Sequence, residues 1–501
     1  MTKNILNYLE GTARSHCGAG VTDEHGFCSY PQLLDRSRRV GSALAAYTTP
    51  NQPIPVLMEK GVDALTAFFG IVQAGCCYTL LNPDLPDVRL QQVLSVLNPP
   101  FVIADREHMA RAGSLLSTES VLLVEELREA EINAPLLDAI RRDMIDTDPL
   151  YINFTSGSTG VPKGVVIGHR SVLDFIDVFT DLFHITPKDV IANQSPFDFD
   201  VSVKDIYSAI RTGANLVEVP KRLFSHPVEL LDFLCGHRVT TMIWAVSALC
   251  LISTFHGLDY KTPATVNKVL FSGEVMPKKH LNSWMEHLPE AQFVNLYGPT
   301  EITCNCTYHV IDRSRDYDSG VPIGTAFPNE RVFLLDEHDQ PVLEEGVPGE
   351  ICVSGTAVGL GYYKSPAQTG ERFPQNPLNE AWYNRIYRTG DLACRNSSGE
   401  FCFLGRKDFQ IKYKGHRIEL EEIEKAMMEA EGVERACCVF DEAKSKLYGF
   451  YVGAPNKKEL HTALTAALPV FMIPGRLVQV ESMPLTKNGK TDRAALMKGA
   501  L

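Results

Sequence analysis

Short, mainly apolar runs recur through the chain before Tyr297, at residues 53–58, 101–104, 121–124, 190–193, 215–219, 241–246 and 269–272. Amphipathic stretches of helix length separate them, among them 170–183, 227–235 and 279–287. Strands that are short and apolar throughout are covered on both faces, and strands alternating with helices pair in parallel through helical crossovers. The expected class is therefore α/β, with a large N-terminal domain of parallel, helix-covered sheets. Ligands in such folds gather at the carboxyl ends of the strands.

One uncharged run, 64–83, is long enough to raise a membrane span, but it contains Gly70, Gln73, Gly75 and Thr79 and ends in Asn82-Pro83. It predicts a buried helix running into a buried strand. After residue 320 the pattern changes to short strands at 332–336, 349–355, 387–396 and 401–404, with Asn396-Ser-Ser-Gly399 as a hairpin turn. That predicts a β-rich subdomain. From Gly405 the chain passes through 411–415 into a strongly amphipathic 419–431, opening a small α+β unit. The expected domains are 1–407 and 408–501.

A hydrophobic share of 45% and a charged share of 22% are those of a folded globular chain. The net charge of −13, without any Lys/Arg block, argues against nucleic acid and against an anionic membrane surface. Thirteen scattered cysteines, no C-x-x-C pair and no secretion signal predict reduced thiols and a cytoplasmic location. Cys304 and Cys306 are too sparse for a zinc site.

Chemistry concentrates first in Tyr151-Ile-Asn-Phe-Thr-Ser-Gly-Ser-Thr-Gly-Val-Pro-Lys-Gly164. An apolar strand enters a loop in which Thr155, Ser156, Ser158 and Thr159 offer hydroxyls, Gly157 lets the backbone approach a ligand, and Lys163 brings a positive charge. That is a phosphate cradle. Lys163 follows Pro162 and precedes Gly164, so the common triphosphate loop, with its magnesium-holding Ser or Thr, is not matched.

A second stretch, Phe293-Val-Asn-Leu-Tyr-Gly-Pro-Thr-Glu301, ends a strand in a turn. Tyr297 is a candidate to stack on a base, Asn295 to bond its edge, and Glu301 to hold magnesium against phosphates, with Gly298 and Thr300 in the turn between. Thr389-Gly-Asp391 adds a carboxylate suited to two ribose hydroxyls.

With Gly405-Arg-Lys-Asp-Phe-Gln410 and Pro484-Leu-Thr-Lys-Asn-Gly-Lys-Thr-Asp-Arg493, these stretches follow one family order over nearly the whole chain. The chain resembles the adenylate-forming superfamily, specifically the amino-acid adenylation domains of nonribosomal peptide synthetases and, most closely, the stand-alone D-alanine:carrier protein ligases. The resemblance implies ATP and Mg²⁺, an acyl-adenylate, and transfer to the phosphopantetheine thiol of a carrier protein. It implies Lys490 as the catalytic lysine, Arg406 and Asp391 at the ribose, and a mobile C-terminal lid hinged at Asp408. No condensation motif precedes and no carrier site follows, so the carrier is expected in trans. An acyl- or aryl-CoA ligase is the alternative.

Ser195-Pro-Phe-Asp-Phe-Asp-Val-Ser-Val-Lys-Asp-Ile-Tyr207 matches the family's pocket-opening motif and implies that Asp200 holds the substrate α-ammonium. The competing reading is a helix cap. The same resemblance implies a pocket of Val201, Lys204, Ile243, Leu270, Ser272, Leu296, Cys304 and Asn305. Lys204 has three readings: an ion pair with Asp200, a partner for a carboxylate on the substrate side chain, or a lysine whose head reaches water. The flanking residues favour a small amino acid, D- or L-alanine, with an acidic one as the alternative.

Overall fold

The protein's structure is a computed structural model and describes residues 4–157, 160–441, 444–485 and 491–500. Its contacts divide it into two compact units: Met1–Asn82, Pro99–Asn153 and Gly164–Lys407 form the larger, and Pro83–Asn98, Phe154–Lys163 and Asp408–Leu501 the smaller.

In the larger unit, the strands Gln292–Tyr297, Lys268–Ser272, Thr241–Ala245, Val190–Asn193, Asn215–Glu218 and Gly20–Asp23 run side by side in parallel. The edges depart from the all-parallel expectation, since Thr307–Val310 and Gly26–Ser29 pair antiparallel. Gly26–Ser29 follows its neighbour through a tight turn and Thr307–Val310 through residues 298–306, neither connection long enough for the helical crossover that parallel pairing needs. A second sheet carries Cys77–Leu81, Pro53–Leu57, Val102–Ala104 and Val121–Leu123 in parallel. The uncharged run falls in the helix Val62–Gln73 and the strand Cys77–Leu81, buried except at Asp63, which lies just before the run. A helix apolar all round has no solvent face to present. Among the described residues, no helix is long and apolar enough to cross a membrane.

The antiparallel sheet Glu330–Leu335, Gly349–Gly355, Tyr387–Arg395 and Phe401–Arg406 completes this unit. Its last hairpin closes at Asn396–Gly399, where the Gly399 N–H donates to the Asn396 carbonyl at 2.9 Å.

In the smaller unit, the helix Leu420–Glu429 lays Leu420, Ile423 and Met427 onto Cys438, Leu447, Tyr451 and Leu477 of a three-stranded sheet. The helix Asp87–Leu97 joins it through a buried ion pair, Arg89 to Glu422 at 2.6 Å.

Candidate functional site

Side chains along a strand alternate between the faces of a sheet. In register, Ile243 stands beside Leu270 and Leu270 beside Val294. These three and Leu296 enter one core cluster, while Met242, Trp244, Val269 and Phe271 enter another. Ile243, Leu270 and Leu296, singled out as pocket residues, thus share one face, and Ser272 continues it at the carboxyl end.

The helix Val201–Thr212 sends Lys204 to that face. Lys204 is 0% exposed, and its ammonium donates to Asn305 Oδ1 at 2.6 Å and to Ser272 Oγ at 3.5 Å. Burial drives it below the usual lysine range, against the pull of the neighbouring Cys304, Asp200 and Asp205. Two of the three readings fall here. The head does not reach water, and no carboxylate among the described residues lies within ion-pair distance. The first turn of the helix lies against the sheet, so the stem has no path outward.

Asp200 occupies the N-cap position with helical backbone angles, φ −61° and ψ −20°, and its side chain makes no capping hydrogen bond. The carboxylate is buried, 7% exposed, and the backbone carbonyl accepts from the Cys304 thiol at 3.1 Å. The cap reading therefore finds no support in the geometry.

The turn from Gly298 to Cys306 brings the remaining groups together. A Cβ at Gly298 would stand 2.4 Å from Asn305 Cα and 2.6 Å from the Cys304 carbonyl oxygen, so only glycine permits this approach. Thr303 and Cys304 take left-handed angles, φ 52° and 78°. Such angles cost non-glycine residues on the order of 1–3 kcal/mol each and persist where surroundings enforce them. Here Thr303 Oγ1 donates to the Ala357 carbonyl at 2.7 Å and the Cys306 N–H to the Tyr297 carbonyl at 2.8 Å. The strained turn delivers Asn305 to Lys204. It opens with the 3₁₀ turn Thr300–Ile302, in which Glu301 is 1% exposed and accepts from the Tyr362 hydroxyl at 2.8 Å. One buried carboxylate fits Mg²⁺, which takes one or two carboxylates and completes its shell with water and substrate phosphates.

Asp391 lies opposite Arg406 in the antiparallel sheet and is 1% exposed. It accepts from the Arg406 guanidinium and from the Tyr297 hydroxyl at 2.5 Å. Burial, and then the Asp391 charge, holds that hydroxyl well above the ordinary tyrosine range. Asn295 Nδ2 donates to the Pro322 carbonyl at 2.8 Å.

The loop 154–163 belongs to the smaller unit. Thr155 ends the strand Pro149–Thr155 and Lys163 begins Lys163–Gly168. Between them the Gly160 N–H closes a turn on the Gly157 carbonyl at 2.8 Å. Ser156, expected to face a phosphate, is buried and donates to the Arg417 carbonyl at 2.9 Å. The Gln410 N–H donates to the Asp408 carboxylate at 3.3 Å. Ser158, Thr159 and Lys490 lie outside the described residues.

Two supporting residues were not assigned from sequence. Tyr362 engages Glu301, and Glu350 ties the Thr389-Gly-Asp turn through the Gly390 N–H at 3.1 Å, Arg388 at 2.7 Å and Lys407 at 3.1 Å. Glu350 sits in the strand read at 349–355, and Tyr362 in a stretch where no element was expected from sequence.

Comparison with known proteins adds to this geometry. The family profile described as AMP-binding enzyme matches residues 9–363, and that described as AMP-binding enzyme C-terminal domain matches 422–490. Zwittermicin A synthase ZmaJ of Bacillus cereus is 32% identical over 480 residues, 93% of this chain and 89% of that protein. Tyrocidine synthase 3 of Brevibacillus parabrevis is 32% identical over 487 residues, 95% of this chain, but the chain spans only 7% of that protein. Among solved structures, holo-PA1221, described as a nonribosomal peptide synthetase protein with adenylation and carrier (PCP) domains bound to a vinylsulfonamide inhibitor, superposes with a TM-score of 0.84. It is 25% identical, with 99% of this chain and 84% of that chain covered.

Proposed function

The chain belongs to the AMP-binding enzyme family, and from that premise we propose that it activates an amino acid as its adenylate and passes it to the thiol of a carrier protein. In the first step a carboxylate oxygen of the amino acid attacks the α-phosphorus of ATP. The bond from that phosphorus to the pyrophosphate oxygen breaks, leaving aminoacyl-AMP and pyrophosphate. In the second the thiol sulfur of a phosphopantetheine arm attacks the acyl carbon, the acyl–oxygen bond to AMP breaks, and the thiol proton goes to solvent.

Both reactants of the first step are anions, so donors must be aimed at the charge that develops. Lys163, Thr155, Ser158 and Thr159 take the phosphates, and Lys490 bridges carboxylate and phosphate oxygens. Gly157 and Gly298 let their loops fold closely onto Val161 and onto Cys304 and Asn305, with Ser156 and Thr300 beside them. Asp391 takes the ribose hydroxyls, held in place by Arg406 and Tyr297, and Asn295 lies at the base. Mg²⁺, when bound beside Glu301, neutralises phosphate charge. A lysine on a late segment hinged at Asp408 can withdraw before the thiol arrives.

The observation that carries the amino-acid reading is Asp200, a buried carboxylate at the start of a helix it does not cap. A carboxylate held out of water attracts an ammonium more strongly than one in water does, and a substrate α-ammonium is the group this reading places there. Amino-acid-dependent exchange of pyrophosphate into ATP tests this, with benzoate and fatty acids as controls. Exchange with amino acids is expected. Exchange confined to acids without an amine would overturn the reading in favour of a CoA ligase. For the side chain, the flanking sequence supports alanine, whereas the burial of Lys204 favours an acidic substrate.

A further inference from the structure

We propose that the pocket recognises an amino acid with a carboxylate side chain, of the aspartate or glutamate class, through Lys204, Ser272 and Asn305. The proposal rests on the amino-acid adenylation reading above and names its substrate class.

The argument is a balance of donors and acceptors. A lysine ammonium has three N–H donors and no acceptor. Two point to Asn305 Oδ1 at 2.6 Å and Ser272 Oγ at 3.5 Å, both neutral oxygens. The ammonium is donor-only, so it fixes the Asn305 amide with oxygen inward and leaves Nδ2 as a donor. Neither Asn305 Nδ2 nor the Ser272 hydroxyl proton has a protein acceptor among the described residues. Three donors, one of them charged, thus meet in one place with no anion of the described residues within ion-pair distance, Asp200 and Asp205 acting only from farther off.

Several other buried or half-buried cations of this chain have an anion that close, although Lys60 instead donates to the neutral oxygens of Asn193 and Gln194. Arg89 has Glu422 at 2.6 Å, Lys268 has Asp189 at 2.8 Å, and Arg406 has Asp391. A fully buried ammonium among neutral oxygens is costly unless a partner arrives. A ligand carboxylate supplies the missing charge and accepts from all three donors.

Its place relative to Asp200 suits one molecule. Lys204 follows Asp200 by four residues across the start of a helix, so the two side chains lie along the same face. An α-amino acid with its ammonium at Asp200 can send its side chain toward Lys204. Ile243, Leu270 and Leu296 on the sheet face are 2% exposed or less and offer only apolar surface to the methylenes between. An alanine methyl would leave the charge unanswered.

The experiment is pyrophosphate exchange with both enantiomers of aspartate, glutamate, asparagine, glutamine and alanine, on the intact chain and on Lys204→Met and Asn305→Ala variants checked by circular dichroism. One acid is expected to exceed its own amide by about tenfold or more, and Lys204→Met to lower kcat/KM for that acid by roughly a hundredfold, because a close charge pair is lost. The acid-to-amide ratio should invert in Lys204→Met and fall in Asn305→Ala, which a merely structural role would not produce. Preference for alanine or an amide, or an unchanged ratio in Lys204→Met, overturns the inference while adenylation stands. Silence with every amino acid overturns the reading on which it rests.

Discussion

Asp200 stands where helices commonly use an aspartate as a cap, yet its side chain makes no capping bond. Replacing it with alanine should therefore cost the helix no cap, while amino-acid-dependent exchange falls by about a hundredfold or more through loss of a buried charge partner. Parallel melting and exchange measurements check both halves. His169 makes a prediction of opposite kind. Its ring is 0% exposed, Nδ1 accepts from the Ile5 N–H at 3.3 Å, and burial, reinforced by Arg141, holds its pKa down at about 3. A depressed pKa means that the unfolded chain takes up the proton first. Stability is full above the unfolded value near 6.5 and is lost as pH falls toward 3, at up to about 1.4 kcal/mol per pH unit. Urea midpoints measured at descending pH should show this slope, and His169→Gln should flatten it. The partners that the candidate residues find in space were not legible in sequence. Lys204 finds Ser272 and Asn305 at separations of 68 and 101 residues, which no local pattern encodes.

The elements named from sequence recur in the structure, although the strands Gly20–Asp23, Gly26–Ser29 and Thr307–Val310 were not among them. The strands Val190–Asn193 and Gly349–Gly355 begin and end where their apolar runs do, and the helix Val62–Gln73 and strand Cys77–Leu81 divide the uncharged run as its composition predicts. Periodicity and burial act locally there, so the local sequence suffices. Sheet order did not yield in this way. Gly20–Asp23 pairs with Asn215–Glu218, far along the chain, and the antiparallel strands Gly26–Ser29 and Thr307–Val310 are partly exposed and lack the continuous apolar run of the parallel ones. In the smaller unit, the helices Asp87–Leu97 and Leu420–Glu429 are joined by Arg89 and Glu422, with side chains 9% and 4% exposed. Burial raises the Glu422 carboxyl above its ordinary value, and Arg89 opposes that rise. Glu422→Ala leaves the guanidinium buried without its anion, at a cost of about 3–5 kcal/mol. Chemical denaturation should show the loss, and Glu422→Gln should recover part of it by keeping an acceptor.

For the molecule as a whole, the division of contacts between Lys407 and Asp408 separates the elements that carry Asp200, Ser272, Asn295 and Asp391 from the segment that carries Lys490. That separation suits a reaction in which one lysine is needed for adenylation and not for thiol transfer. Lys490→Ala is expected to lower adenylate formation by about 10²–10³-fold, the range for losing one preorganised charge contact. Thioester formation from a supplied aminoacyl-adenylate should be little changed in that variant, and equal loss in both steps would contradict the division of labour. The central claim, that the substrate carboxylate attacks the α-phosphorus of ATP, is tested most directly by following its oxygen. With an amino acid carrying oxygen-18 in its α-carboxylate, turnover to the thioester should place one labelled oxygen in AMP and none in pyrophosphate. Label absent from AMP, or found in pyrophosphate, would contradict it.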